Sequence, residues 1–211
     1  MLSESYVVAL EEAAWAAAEA RHGDEARRQR VVREAILALS SAYIEGRSTR
    51  TPGHELARLV FFTLADLPKI AYPLGELERS GRLPAGPLRI LDVGAGCGTL
   101  TLGALGALPD VAVEHVWGVD ADGQALDDFR RLYAAVGSRR GGTTGPLRTR
   151  TVDLSQRRPL PADLQGPFSL IFVGSVLTEL APAARQPLLE GLLRKLSDDG
   201  ALIVVEPALS H

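Results

Sequence analysis

Cysteine is nearly absent from this chain: its 211 residues contain one, Cys97. A lone thiol excludes an internal disulfide framework and any multi-cysteine metal or iron–sulfur site. The four histidines (His22, His54, His115, His211) share no metal-ligand spacing, so no metal site is expected. Long apolar runs are missing too, and none approaches the roughly 18 residues needed to span a bilayer. The N-terminal stretch MLSESYVVALEEAAWAAAEA carries acids where a secretory leader needs a basic region. A cytoplasmic protein with no membrane partner is expected. Net charge is small, at −3, and gives no global reason to expect nucleic acid.

What is present suits one domain with an appended helical segment: 46% of residues are hydrophobic and 23% charged. The most informative stretch is LRILDVGAGCGTLTLGAL, residues 88 to 105. A β-branched run leads into Gly94-Ala95-Gly96-Cys97-Gly98, and an apolar helical pattern follows at once. Strand, glycine turn and helix in that order build a ligand pocket at the carboxyl end of the strand. The dinucleotide fingerprint requires its third small residue at position 99, which is threonine, so the match to a pyrophosphate cradle is poor. Cys97 lies inside this loop, where a small buried residue is the expected role.

Residues 1–86 read as helical. Ser3 or Ser5 caps a first helix to about Arg21, and Gly23-Asp24 breaks it. A second segment, residues 25 to 45, places Val31, Ala35, Ala38, Leu39 and Ala42 on one face. A third runs from Gly53 to about Leu67. Pro68 and Pro73 bracket a turn-like piece before residues 74 to 79, and Gly81, Pro84, Gly86 and Pro87 mark a linker. From residue 87 to 211 strands alternate with helices, which implies a parallel, Rossmann-like sheet. Strands are expected at 89–93, 113–119, 148–152, 168–173 and 201–205, and helices at 99–107, 123–136 and 183–196. Ser197-Asp198-Asp199-Gly200 reads as a turn before the last strand. Local charge concentrates from Ser138 to Arg158, with six arginines and one acid, Asp153.

G-x-G-x-G after a hydrophobic strand, with an acid (Asp92) two residues ahead, resembles motif I of class I methyltransferases that use S-adenosyl-L-methionine (SAM). That resemblance implies a SAM site built from Asp92, Gly94, Ala95, Gly96 and Gly98. Asp120 ends the second strand, where the family takes both ribose hydroxyls, with Ala121 beside it. Asp122 is the more natural N-cap of the following helix. Asp153, ending the third strand, falls where the family places an acid or amide against the adenine amine, with Leu154 beside the ring. Gly174 ends the fourth strand. The next residues, Ser175-Val176-Leu177, do not match the N/D-P-P-Y/F motif of amino-methylating DNA enzymes. Ser175, Thr178 and Glu179 face the acceptor region, and Glu179 can equally be a first-turn acid. Glu206 follows the fifth strand and either orients a substrate or pairs with an arginine. Ser175, Glu179 and Glu206 are therefore the catalytic candidates.

The ordered series ALSSAYIEGR (38–47), HELARLVFFTLADLPKIAYPLGEL (54–77), motif I, FVGSVLTEL and LIVVEPAL resembles the methyltransferase-like proteins associated with the small ribosomal subunit of mitochondria and bacteria. The resemblance spans roughly residues 35 to 209. It implies SAM as cofactor and RNA of the small ribosomal subunit as partner, with the arginines at 138–158 and 27–33 meeting phosphates. It also implies two further strands and, in many members, a cysteine cluster. This chain shows neither, so either it is a fragment or a second chain covers the edge of strand five. The family includes ribosome assembly factors of doubtful catalytic activity. Methyl transfer to RNA therefore stands beside two alternatives: a non-catalytic SAM-binding assembly factor and a small-molecule methyltransferase.

Overall fold

The computed structural model describes residues 2–24, 29–45, 54–137, 144–156, 160–164 and 166–206. Helix α1 spans Glu4–His22, opened by the Ser3 hydroxyl accepting from the Tyr6 amide and closed at Gly23, whose φ is +62°. Helix α2 spans Gln29–Ile44 and buries Leu39 and Ala42, while Ala38, expected on the same face, is exposed. A helical stretch of changing pitch follows. It comprises α3 (His54–Ala57), a π-turn (Arg58–Phe62), α4 (Thr63–Asp66), a 3-10 turn (Leu67–Ile70) and α5 (Ala71–Arg79). Pro68 sits at the start of the 3-10 turn. Pro73 lies in the first turn of α5, just past the change of pitch from the 3-10 turn, so the piece expected as a turn is helical.

Five parallel strands follow: β1 (Leu88–Val93), β2 (Val113–Asp120), β3 (Leu147–Thr151), β4 (Phe168–Gly174) and β5 (Leu196–Val205). They lie in the order β3-β2-β1-β4-β5, so the direction of winding reverses between β1 and β4. Helices α6 (Thr99–Ala107), α7 (Gly123–Gly137) and α8 (Pro182–Leu193) connect them. The expected turn at Ser197–Gly200 is instead a bulge inside β5. Pairing passes from Phe168↔Leu196 to Leu170↔Ala201, and the Ser197 hydroxyl donates to the Phe168 carbonyl. Among the described residues, β5 pairs with β4 alone.

The helical region packs directly on the sheet domain, and one apolar cluster runs across residue 86. It joins Leu10, Leu59, Leu67, Ile70 and Leu74 to Ile90, Leu102, Leu105 and Phe172. Two glycines of α6 permit the approach. A Cβ at Gly103 would lie 2.3 Å from the Leu67 carbonyl, and one at Gly106 would lie 2.5 Å from Leu2. The Tyr6 hydroxyl then donates to the Leu102 carbonyl at 2.7 Å. A second cluster on the opposite face of the sheet joins Leu91, Val119, Ile171 and Val173 to Leu164, Leu180 and Leu192. No helix of the described residues is long and apolar enough to cross a membrane.

Candidate functional site

A cleft of 380 Å³ opens at the carboxyl ends of β1, β2 and β4, across the point where the sheet reverses direction. This is where open parallel sheets hold their ligands. Its floor contains Asp92, Gly94, Ala95, Gly96 and Cys97, its flanks Asp120, Ala121, Val152 and Leu154, and its far end Gly174, Ser175, Glu179 and Glu206. Gly98 and Asp153 are not among the lining residues. The other residues expected to hold a cofactor are brought together here.

The three loop glycines have different jobs. All have positive φ, +70°, +51° and +85° in order. A Cβ at Gly94 would meet Val176 at 2.1 Å, and one at Gly98 would meet the Phe129 ring at 2.0 Å. Internal packing alone demands those two. Nothing lies within 4 Å of a Cβ at Gly96. That glycine alone of the three borders open space.

Asp120 fixes the loop. Its Oδ2 accepts from the Gly96 amide and its Oδ1 from the Asp122 amide, each at 2.8 Å. Each carboxylate oxygen keeps a second lone pair for a ligand hydroxyl. Asp122 caps α7, its Oδ1 accepting from the amides of Gln124 and Ala125, and its Oδ2 accepts from Arg58 Nη1 at 3.0 Å. Asp92 is buried beneath the loop, where its Oδ2 accepts from both the amide and hydroxyl of Thr101. Burial outweighs those bonds and pushes its pKa up to about 6. Burial also pushes the Cys97 thiol up to about 12, with Asp128 adding to the shift, so the thiol is an inert packing group.

Asp153 is turned toward its own loop, its Oδ1 accepting from the Ser155 amide and hydroxyl. Leu154 and Val152 line that side of the cleft in its place. Glu206 does not pair with an arginine in the described contacts. Its Oε1 accepts from the amides of Val176 and Leu177, both at 2.9 Å, and its Oε2 from the amide and hydroxyl of Thr178. The carboxylate clasps the segment after β4, where Ser175 holds a φ of +54° that costs a non-glycine residue about 1 kcal/mol or more.

A wall of the cleft comes from residues that the sequence reading did not single out: Arg58, Phe62, Thr63, Asp66 and Lys69. Arg58, Phe62, Asp66 and Lys69 recur at near-helical spacing, and the three charged members stand on an otherwise apolar stretch. That pattern was the available signal. The π-turn adds to it, because the Arg58 carbonyl accepts from both the amide and hydroxyl of Thr63. Such turns gather at functional sites.

The arginine runs divide between residues outside the description and residues with local partners. Arg27, Arg28, Arg139, Arg140, Arg157 and Arg158 lie outside the described residues. Arg148 stacks over Trp117 at 5.7 Å, Arg150 pairs with Asp163, and Arg30 lies 3.9 Å from Glu34. Among the described residues, no three His, Cys, Asp or Glu side chains converge as a metal site.

No family model matches the chain, and no curated protein matches it. Solved structures do. A putative O-methyltransferase from Nostoc punctiforme aligns with a TM-score of 0.51 and 18% identity, over 83% of this chain and 50% of that one. The fold is that of class I methyltransferases. The glycopeptide N-methyltransferase MtfA, solved with S-adenosyl-L-homocysteine, aligns with a TM-score of 0.47 and 21% identity, over 66% of this chain and 52% of that one. The pyocyanin biosynthetic protein PhzM gives 0.47 and 20%, over 78% and 42%. The chain spans about half the length of the methyltransferase-fold structures that it matches.

Proposed function

We propose that this chain binds SAM in the cleft between β1 and β4 and transfers its methyl group to an acceptor held between the β4 tip and the helical wall. The observation that carries the reading is Gly96. It is the loop glycine bordering open space, and Asp120 grips its amide at 2.8 Å. The residues present fit the cofactor. The cleft falls within the roughly 300–1,000 Å³ of small-molecule sites. Asp120 offers lone pairs to ribose hydroxyls, and Val152 and Leu154 form an apolar side for a flat base. Asp66, Asp92, Asp120, Glu179 and Glu206 outnumber Arg58 and Lys69 along the lining, a balance suited to a cationic ligand and hostile to a pyrophosphate.

When bound, the cofactor supplies an electrophilic methyl carbon on a sulfonium. In-line displacement of that kind requires alignment more than a strong base. Ser175 and Glu179 line the end where an acceptor is to be aligned, and Glu206 holds their segment in place. Glu206 is thus a positioning residue.

For the acceptor, the proposal follows the sequence resemblance: RNA of the small ribosomal subunit. The exposed Arg148 and the arginines flanking β3 in sequence support it. A small-molecule acceptor is the second reading, and the acidic cleft favours it because carboxylates repel phosphodiesters. Calorimetric titration of SAM tests the cofactor site. Aspartate tolerates the left-handed backbone at residue 96, so Gly96→Asp should keep the fold and fill the open space. A loss of affinity of at least about 100-fold with little change in melting temperature is expected. Unchanged affinity removes the pocket assignment. Transfer of labelled methyl from SAM, read separately in ribosomal RNA and in a small-metabolite fraction, then decides the acceptor. Tight binding with transfer to neither identifies a non-catalytic assembly factor.

A further inference from the structure

At its β3 end the sheet has two chemically different faces. Leu147 and its partner Val116 belong to the apolar cluster that contains Phe129 of α7. The opposite face of β3 presents Arg148 and Arg150, paired with Trp117 and Val119 of β2, and Arg89 of β1 lies on the same side as Leu91. Among the described residues, the connection from β3 to β4 contains a 3-10 turn and no α-helix. Arg148, Arg150 and Thr151 are exposed. Arg150 already holds a carboxylate on this face, that of Asp163. Arg148 stacks over Trp117 at 5.7 Å, and no described acid pairs with it.

β3 is also an edge. Among the described residues it pairs with β2 alone. The Val116 amide donates to the Pro146 carbonyl, and the Val152 amide donates to the Asp120 carbonyl. Alternate residues of a parallel strand bond to the same neighbour, so the even-numbered residues of β3 are turned to β2. The amides and carbonyls of Leu147, Thr149 and Thr151 are therefore turned outward, and no described residue takes them. Such an edge is a template for a further strand. Charge selects which strand. Side chains on one face of a strand recur about every 6.6 Å, so carboxylates at alternate positions of an added strand would meet Arg148 and Arg150 in step. Two β3 edges from two copies of the chain would set arginine against arginine. Charge alone would let Arg148 serve RNA equally, but a nucleic acid brings no regular ladder of donors and acceptors to the outward amides and carbonyls.

We propose that the β3 edge is a docking site for an acidic, extended segment of a partner protein. The segment adds beside β3 as a further strand and lays alternate carboxylates on the Arg148–Arg150 face. The surface lies outside the SAM cleft and does not depend on what fills it.

The test is equilibrium binding of labelled probes to the full chain. The first probe is a capped decapeptide alternating glutamate and threonine, and the second is a ten-residue oligouridylate. The peptide should bind with a Kd below about 1 mM, and Arg148→Glu should weaken it roughly tenfold without changing the melting temperature. The peptide is also made with N-methyl groups on either of its two alternate sets of amides. Methylating the set that faces β3 should weaken binding at least about tenfold, and methylating the other set should leave it within about twofold. Equal effects of the two sets would show attraction by charge alone and overturn the proposal. An unchanged affinity in Arg148→Glu, or no peptide binding below about 1 mM, overturns it as well. Oligouridylate that binds more tightly than the peptide and is lost in Arg148→Glu also overturns it, and assigns the face to nucleic acid.

Discussion

Asp92 is buried at the end of β1, where both a backbone and a side-chain donor of Thr101 converge on one of its oxygens. Its folded pKa of about 6 lies above the ordinary 3.8. Between those values the folded state keeps a proton that the unfolded chain releases, so stability falls as pH rises through this window and levels off above about 6. The ionised carboxylate therefore costs the fold on the order of 3 kcal/mol at neutral pH. Asp92→Asn keeps an oxygen for Thr101 and removes the charge. It should flatten the melting-temperature profile between pH 4 and 6 and raise stability at pH 7. An unchanged slope would place the titration elsewhere. Cys97 makes a simpler case. A thiol pushed up to about 12 does not ionise at pH 8, so native protein should resist thiol-specific reagents and react only with the unfolding rate. Rapid labelling of the native state would contradict its burial. Residue types at the site were legible, because an acid before three glycines and an acid ending the second strand are local signals. Their partners were not. In the sequence Asp153 closes an expected strand much as Asp120 does, yet it lies two residues past β3, and its carboxylate turns to Ser155 while that of Asp120 turns to Gly96, a difference made by tertiary placement.

At the scale of elements, the clasp of Glu206 on residues 176 to 178 has the most to lose by mutation. Glu206→Ala removes the acceptor for three amides and a hydroxyl beside a residue in left-handed backbone. Amide exchange at Val176, Leu177 and Thr178 should accelerate at least tenfold, with an overall stability loss of about 1–3 kcal/mol. Exchange rates equal to wild type would show that the segment holds itself. Most strand and helix boundaries came through from the sequence within about one to three residues, since parallel strands buried on both faces read as apolar runs between turn residues; β5 starts five residues earlier than expected and α2 is described from four residues later. The β5 bulge and the helical Pro73 did not come through. Ser-Asp-Asp-Gly has turn chemistry, and only the pairing with β4 pulls it into a strand. Proline punctuates most sequences, but a first-turn position absorbs it.

For the whole molecule, the shared core across residue 86 decides how the chain folds. The sequence composition changes at that point, and the apolar cluster does not. Fitting α6 against the helical region requires Gly103 and Gly106, whose contacts lie dozens of residues away and leave no local mark. Residues 87–211 expressed alone should therefore lack cooperative unfolding and bind hydrophobic dyes, whereas the full chain should melt in one transition. A cooperatively folded 87–211 fragment would show that the helical region is an independent unit.

The contacts from Gly96 through Asp120 and Asp122 to Arg58 tie the glycine loop to a helical segment whose outer side carries Tyr72, 73% exposed. Thermodynamic reciprocity applies to any such tie. If the ligand tightens the hold on that segment, a macromolecule that grasps the segment's outside changes the ligand's affinity by the same factor. On that arithmetic, occupancy of the cleft and contact on the helices would be two sides of one equilibrium.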